Sequence, residues 1–197
     1  MNPIIATLAS LSFFEGLALS ATNGKVVALN NNWLLSWSTV RPLGIPLSAL
    51  MTVVFLIVVG GFLATTKQGR YLYALGGSAH AARLAGVPVA RFRLAIYGFS
   101  GAAAGFAGLL YAIRASSAEP LQSQGVELTV VTAVILGGAS LAGGRGTVIG
   151  SLLGVCVLGE LQNAMVLTSV STYYQYLLQG GLLAGAVILH EYRRPMR

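Results

Sequence analysis

Groups able to do chemistry are scarce in this chain. Its five acids are all glutamates, there is no Asp, and beside them stand only His80, His190 and Cys156. Glu15 and Glu160 lie inside apolar runs, where an acid is costly and ordinarily faces a bundle interior or water. Each is therefore a candidate path-lining group. A proton relay is not expected, because both histidines fall on segments read below as cytoplasmic. One cysteine inside an apolar run excludes a disulfide framework or a cysteine metal cluster. No Gly-x-x-x-x-Gly-Lys-Ser/Thr phosphate loop occurs, so neither a catalytic residue, a metal site nor a cofactor is expected on this chain.

The elements that carry these groups follow from composition. Of 197 residues, 55% are hydrophobic and 9% charged, against roughly 25% charged in an ordinary soluble domain. Mean hydropathy is +0.76. A soluble chain of this size covers itself with charge, and this one cannot; disorder and a conventional soluble enzyme are excluded. The net charge of +7 would suit nucleic acid, but its placement argues for membrane topology instead.

About 20 mostly apolar residues in a helix cross the hydrocarbon core. Runs 3–21, 43–64, 94–113, 147–167 and 173–189 approach that length. A sixth, 128–142, is short and interrupted by Gly137 and Gly138. Such a segment is tolerated in lipid only where protein buries it or where it lines a cavity. The first run has no Lys or Arg ahead of it and holds Glu15, so it reads as a retained helix and not a signal peptide. The fold class is an all-α integral membrane protein. It has about five transmembrane helices plus one short broken or re-entrant helix (128–146), in a single domain over 1–197. Lys67, Arg70, Arg83, Arg91, Arg93, Arg145, Arg193, Arg194 and Arg197 fall on one side if each run crosses once. Lys25, Arg41 and Arg114 fall on the other, beside Glu119 and Glu127. The positive-inside rule then places both termini in the cytoplasm. Trp33, Trp37, Tyr173, Tyr174 and Tyr176 occupy interfacial belt positions. Gly101/Gly105, Ala104/Gly108 and Gly150/Gly154 have the spacing that lets membrane helices approach closely.

The basic connection 66–93 is the most informative stretch. Ser78 can cap a short helix through Ala79–Ala85, and Gly86 followed by Pro88 supplies a stop. A two-turn helix with a small-residue face therefore sits in a cytoplasmic loop, either as a surface for a partner or as a solvated connector.

This loop resembles the coupling loop of ATP-binding-cassette importer permeases, and its wording is similar to that of the ribose/xylose/galactose-type sugar family. The similar elements are the opening Gly-Arg-Tyr-Leu-Tyr-Ala-Leu-Gly-Gly from Gly69 to Gly77 and the Ala-Ala-Arg-Leu-Ala-Gly helix from Ala81 to Gly86. The glycine-rich stretch from Ala133 to Gly146 and Ser-Thr-Tyr-Tyr-Gln from Ser171 to Gln175 resemble further signatures of that family. The similarity covers the C-terminal part of such permeases, which usually carry several more helices ahead. Two departures stand out: Ala79-His80 replaces the Glu that usually precedes the paired alanines, and Glu160 stands where an apolar residue is expected.

The resemblance implies an inner-membrane permease of a bacterium, importing a monosaccharide such as a pentose or hexose. Its partners would be an ATPase subunit, a second permease copy or paralogue, a substrate-binding protein and the lipid bilayer, with no nucleic acid. It implies ATPase coupling through Gly76, Gly77, Ala81, Ala82, Arg83 and Gly86, and a substrate path carrying Glu127, Thr129, Thr132 and Ser140. ATP hydrolysis would belong to the partner. Rival classes are an ion-coupled transporter or channel half and a non-transporting subunit.

Overall fold

The computed structural model describes residues 3–29, 36–37, 39–122 and 124–192. Trp33, Arg193, Arg194 and Arg197 lie outside the described residues. Within them the helices are α1 (Pro3–Thr22), α2 (Leu47–Thr65), α3 (Lys67–Gly77), α4 (Ala79–Leu84), α5 (Val89–Ala115), α6 (Val126–Leu136), α7 (Val148–Leu167) and α8 (Thr172–Tyr192). Two residue pairs form the only extended elements among them, β1 (Val27–Ala28) and β2 (Ser117–Ala118). The chain is an all-α membrane protein. Ile5–Thr22 of α1 and the whole of α2, α5 and α7 are long and apolar enough to cross a bilayer, α2 most strongly with a mean hydropathy of 2.5. The expected fifth span, α8, has 21 residues but is not among these four; Tyr173, Tyr174, Gln175 and Gln179 dilute it.

Several boundaries differ from the sequence expectation. The second span starts at Leu47 and not at 43, because Pro42–Gly44 forms a 3-10 turn and Ile45, ahead of Pro46, is extended at φ −98° and ψ 135°, as steric clash with the proline ring requires. The third starts inside the expected loop, where the Pro88 carbonyl accepts from the Arg91 and Phe92 amides at 3.1 and 3.2 Å. Residues 67–77, expected as loop, are helical: Thr66 Oγ1 accepts from the Gly69 amide at 3.0 Å and starts α3. Gly69 makes the α2–α3 corner possible, since an added Cβ there would meet the Leu63 backbone. The short segment is helical for 11 residues only and stops at Gly137.

The chain divides into two compact units, Met1–Val54 with Ala95–Gln124, and Phe55–Leu94 with Gly125–Arg197. In the first, β1 and β2 pair antiparallel with Val27 opposite Ala118. The Gln124 amide donates to the Glu15 carboxylate, so this intramembrane acid has a polar partner.

In the second unit, α6 packs on α7 and α8. An added Cβ at Gly137 would collide with the Gly150 carbonyl, and one at Gly154 with the Ala133 carbonyl. The two helices therefore touch backbone to backbone. Thr132 is wholly buried at 0% exposure, and its hydroxyl donates to the Leu128 carbonyl at 2.7 Å, which offsets the cost of burying it. The Gly101, Gly105 and Gly108 positions of α5 differ: nothing lies within 4 Å of a Cβ added there.

This contrast sets a stability test. Gly154→Leu forces overpacking and should lower the unfolding free energy by about 1–3 kcal/mol. Gly105→Ala meets no neighbour and should leave stability unchanged or raise it by up to about 1 kcal/mol. Thermal unfolding in detergent, followed by circular dichroism, compares the two.

Candidate coupling and path residues

The candidate coupling element is built locally. Ser78 Oγ accepts from the Ala81 amide at 3.2 Å and so satisfies one orphan donor at the start of α4. At the other end the Val87 amide donates to the Ala82 carbonyl and the Gly86 amide to the Arg83 carbonyl, both at 3.0 Å. With Gly86 at φ +79°, this is the Schellman arrangement, which needs a residue in the left-handed region that glycine occupies without strain. Its hydrophobic closure is also present. Ala82 and Val87 are buried with Leu75 and Val89, and Ala79 and Phe92 pack on that cluster. The Tyr71 and Phe92 rings meet edge to face, with centroids 5.8 Å apart.

This core divides the nominated residues. Ala82 is 4% exposed, so of the paired alanines only Ala81 is outward. Arg83 and Gly86 are exposed, and Leu84 is 78% exposed. This large exposed apolar side chain beside Arg83 was not singled out from the sequence. Its exposure depends on which face of α4 the core takes.

Gly76 and Gly77 also differ from each other. A Cβ at Gly76 would lie 2.6 Å from the Gly144 amide nitrogen, whereas a Cβ at Gly77 meets nothing within 4 Å. Gly143, at φ +85°, in turn faces the Gly76 carbonyl. The turn is closed by Ser140 N–H donating to the Arg145 carbonyl at 2.9 Å and Gly143 N–H to the Ser140 carbonyl at 3.0 Å. Tyr73 adds a bond from its hydroxyl to the Gly146 carbonyl at 3.1 Å. Two stretches that the sequence presents about 70 residues apart are thus one contact.

The nominated path residues are spread along α6 and this turn. Glu127 is exposed in the first turn of α6. Thr129, half-buried, accepts from Gln179 Nε2 of α8 at 2.7 Å and donates to the Gly125 carbonyl at 3.3 Å. Thr132 is sealed inside the packing, and Ser140 is half-buried in the turn. Glu160 is exposed on α7. Gln179, the partner of Thr129, was not singled out either. A polar amide inside an otherwise apolar run was its signal. Tyr73 had none, since its bond depends on where the distant turn lies.

Four long apolar helices, with a short one packed on α7 and α8, define a multi-pass helical membrane protein. The chain belongs to the family described as "Branched-chain amino acid transport system / permease component", which it matches over residues 1–187. It is 40% identical over its full length to the L-arabinose ABC transporter permease protein of Azospirillum brasilense, of which it covers 58%. It is 38% identical over 197 residues to the L-arabinose transport system permease protein of Escherichia coli K12, covering 60%. Against the ribose import permease protein of Bacillus subtilis it is 38% identical over 191 residues, covering 59%. The chain therefore spans about three-fifths of the length of these curated relatives. No solved structure matches it.

The asymmetry between neighbouring glycines gives a direct check. Gly76→Ala pushes a methyl group into the Gly144 backbone and should destabilise by about 1–3 kcal/mol, whereas Gly77→Ala should be neutral. Equal melting temperatures for the two variants would contradict the contact.

Proposed function

We propose that this chain is a membrane-spanning permease portion of an ATP-driven importer for a monosaccharide, with ATP hydrolysis residing on a partner subunit. One observation carries this reading: an exposed two-turn helix, α4, shares a side-chain core with α3, and the end of α3 meets the turn after the short helix α6 backbone to backbone. Leu75, near the end of α3, shares the core of α4 through Ala82. Gly76 at the end of α3 abuts Gly143 and Gly144, and that turn connects α6 to α7. Packed interiors transmit displacement because they compress little. A push on Arg83 and Leu84 is therefore delivered to both helices flanking the turn.

In this reading an ATPase subunit docks on the outward face of α4. Ala81 permits close approach, Leu84 offers an apolar anchor and Arg83 a charge for an acidic partner. Gly86 holds the helix end, Ala82 acts from inside the core, and Gly76 passes the motion on, with Gly77 beside it. Glu127, Thr129 and Ser140 supply polar groups for a sugar's hydroxyls, and Thr132 holds α6 in place. Both termini and the α4 loop lie in the cytoplasm, in keeping with the basic residues of 66–93. A substrate-binding protein delivers the solute from outside, and a second permease copy or paralogue completes the path. The chain itself carries no cofactor. Sugars are favoured as the solute because the relatives named for a substrate are arabinose and ribose permeases.

The test uses cells expressing the complete transporter with this chain as its permease. Arg83→Glu and Leu84→Asp should each cut radiolabelled pentose uptake at least about tenfold, the effect expected of an interface anchor, while leaving the melting temperature unchanged. Wild-type uptake in both variants would refute the docking face. Uptake that survives ATP depletion but collapses with an uncoupler would assign the chain to an ion-coupled transporter instead.

A further inference from the structure

We propose that the cleft between α2, α3 and the start of α7 is a binding site for an anionic phospholipid. It is an open groove of about 360 Å³ within the second unit. Leu56, Val59 and Leu63 line it from α2, Leu72 from α3, Val148 from α7, and Arg145 stands among them. The three α2 residues fall at helical spacings of three and four, so they form one continuous stripe. All five apolar residues are half-buried, whereas Arg145 is exposed.

The site is amphiphilic by construction. α2 and α7 approach at Gly60, where an added Cβ would meet Val148 at 3.6 Å, and the cleft opens beside that contact. Tyr73 lines the cleft and bonds the Gly146 carbonyl, which fixes the backbone next to Arg145. No hydrogen bond or ion pair engages the Arg145 guanidinium among the described residues. No acid is available nearby in sequence: residues 55–94 hold Lys67, Arg70, Arg83, Arg91 and Arg93 without a carboxylate, and between 137 and 159 Arg145 is the sole charge. An occupant must bring its own negative charge and a hydrocarbon body.

Continuity with the bilayer decides which such molecule it is. The apolar wall belongs to α2, the most apolar span of the chain. Adjoining residues Ile57 and Val58 on α2 are 67% and 63% exposed, a surface made for acyl chains. A lipid can lay a chain along Leu56, Val59 and Leu63 and place its phosphate at the Arg145 fork, which matches phosphate oxygens in a bidentate fashion. Basic pockets between membrane helices recognise anionic head groups on this principle. The inference rests on the chain lying in a membrane and does not depend on what it transports.

Native mass spectrometry of the full chain, released from detergent containing equal phosphatidylglycerol and phosphatidylcholine, tests it. The wild type should retain phosphatidylglycerol over phosphatidylcholine about fivefold, the effect of one arginine near a lipid head group. Arg145→Gln should bring that ratio close to one, and Arg83→Gln, outside the cleft, should leave it unchanged. Val59→Trp, which fills the apolar wall, should reduce retained lipid of both kinds. Soluble glycerol 3-phosphate should not displace the lipid. The proposal is overturned if Arg145→Gln keeps the wild-type ratio, if Arg83→Gln lowers it equally, or if glycerol 3-phosphate competes. It also fails if Val59→Trp disperses an oligomer while lipid retention is unchanged, for then a protein neighbour fills the groove.

Discussion

The second unit depends on backbone meeting backbone at glycine. In lipid, apolar side chains gain nothing by leaving hydrocarbon for one another, so helices are held by close van der Waals contact and occasional polar bonds. The approach of Gly137 to Gly150, of Gly154 to Ala133, and of Gly76 to Gly143 and Gly144 is the means by which α6 and α7 are held together and α3 is joined to their turn. A methyl group at any of these positions would occupy space already taken by main chain. The contact is tight because main chain meets main chain with no side chain between.

Beyond the spans the physics changes within a few residues. The α3–α4 segment carries Leu75, Ala82, Val87 and Val89 in a small core of its own, and here burial from water does contribute stability. Caps finish the helices: Thr66 starts α3 and Ser78 starts α4. The α6 terminus repeats the closure of α4, with Gly138 at φ +86° and the Ala139 amide reaching back to the Val134 carbonyl at 3.1 Å. At the end of α7, Ser169 takes the same left-handed place at φ +56°. Three polar side chains within the apolar helices have partners. Thr129 has Gln179, Glu15 has Gln124 and Thr132 has its own helix.

Much of this was legible in the residues. Four lipid-scale spans, the short helix broken at Gly137, the Ser78 cap and the Gly86 stop all follow from local patterns, because they depend on neighbours within a turn or two. α3 was hidden because Gly69, Gly76 and Gly77 are poor helix residues. Gly69 is needed for close approach to Leu63 across the α2–α3 corner and Gly76 for close approach to Gly144, and the second of these reasons sits far away in the chain. The small-residue spacings also looked equivalent along the chain, yet only Gly150 and Gly154 meet a neighbour, while Gly101, Gly105 and Gly108 face open space.

The sequence by itself determined the membrane class, the position of each long helix and the family, since hydropathy and short motifs are properties of contiguous residues. Tertiary structure alone decided which glycines touch and that Ala82 is inside while Leu84 is outside. It alone joined Thr129 to Gln179 and set Arg145 at the mouth of an apolar cleft. Each of these is a contact between residues distant in the chain or a choice of helix face, and both are settled by packing that no local pattern encodes.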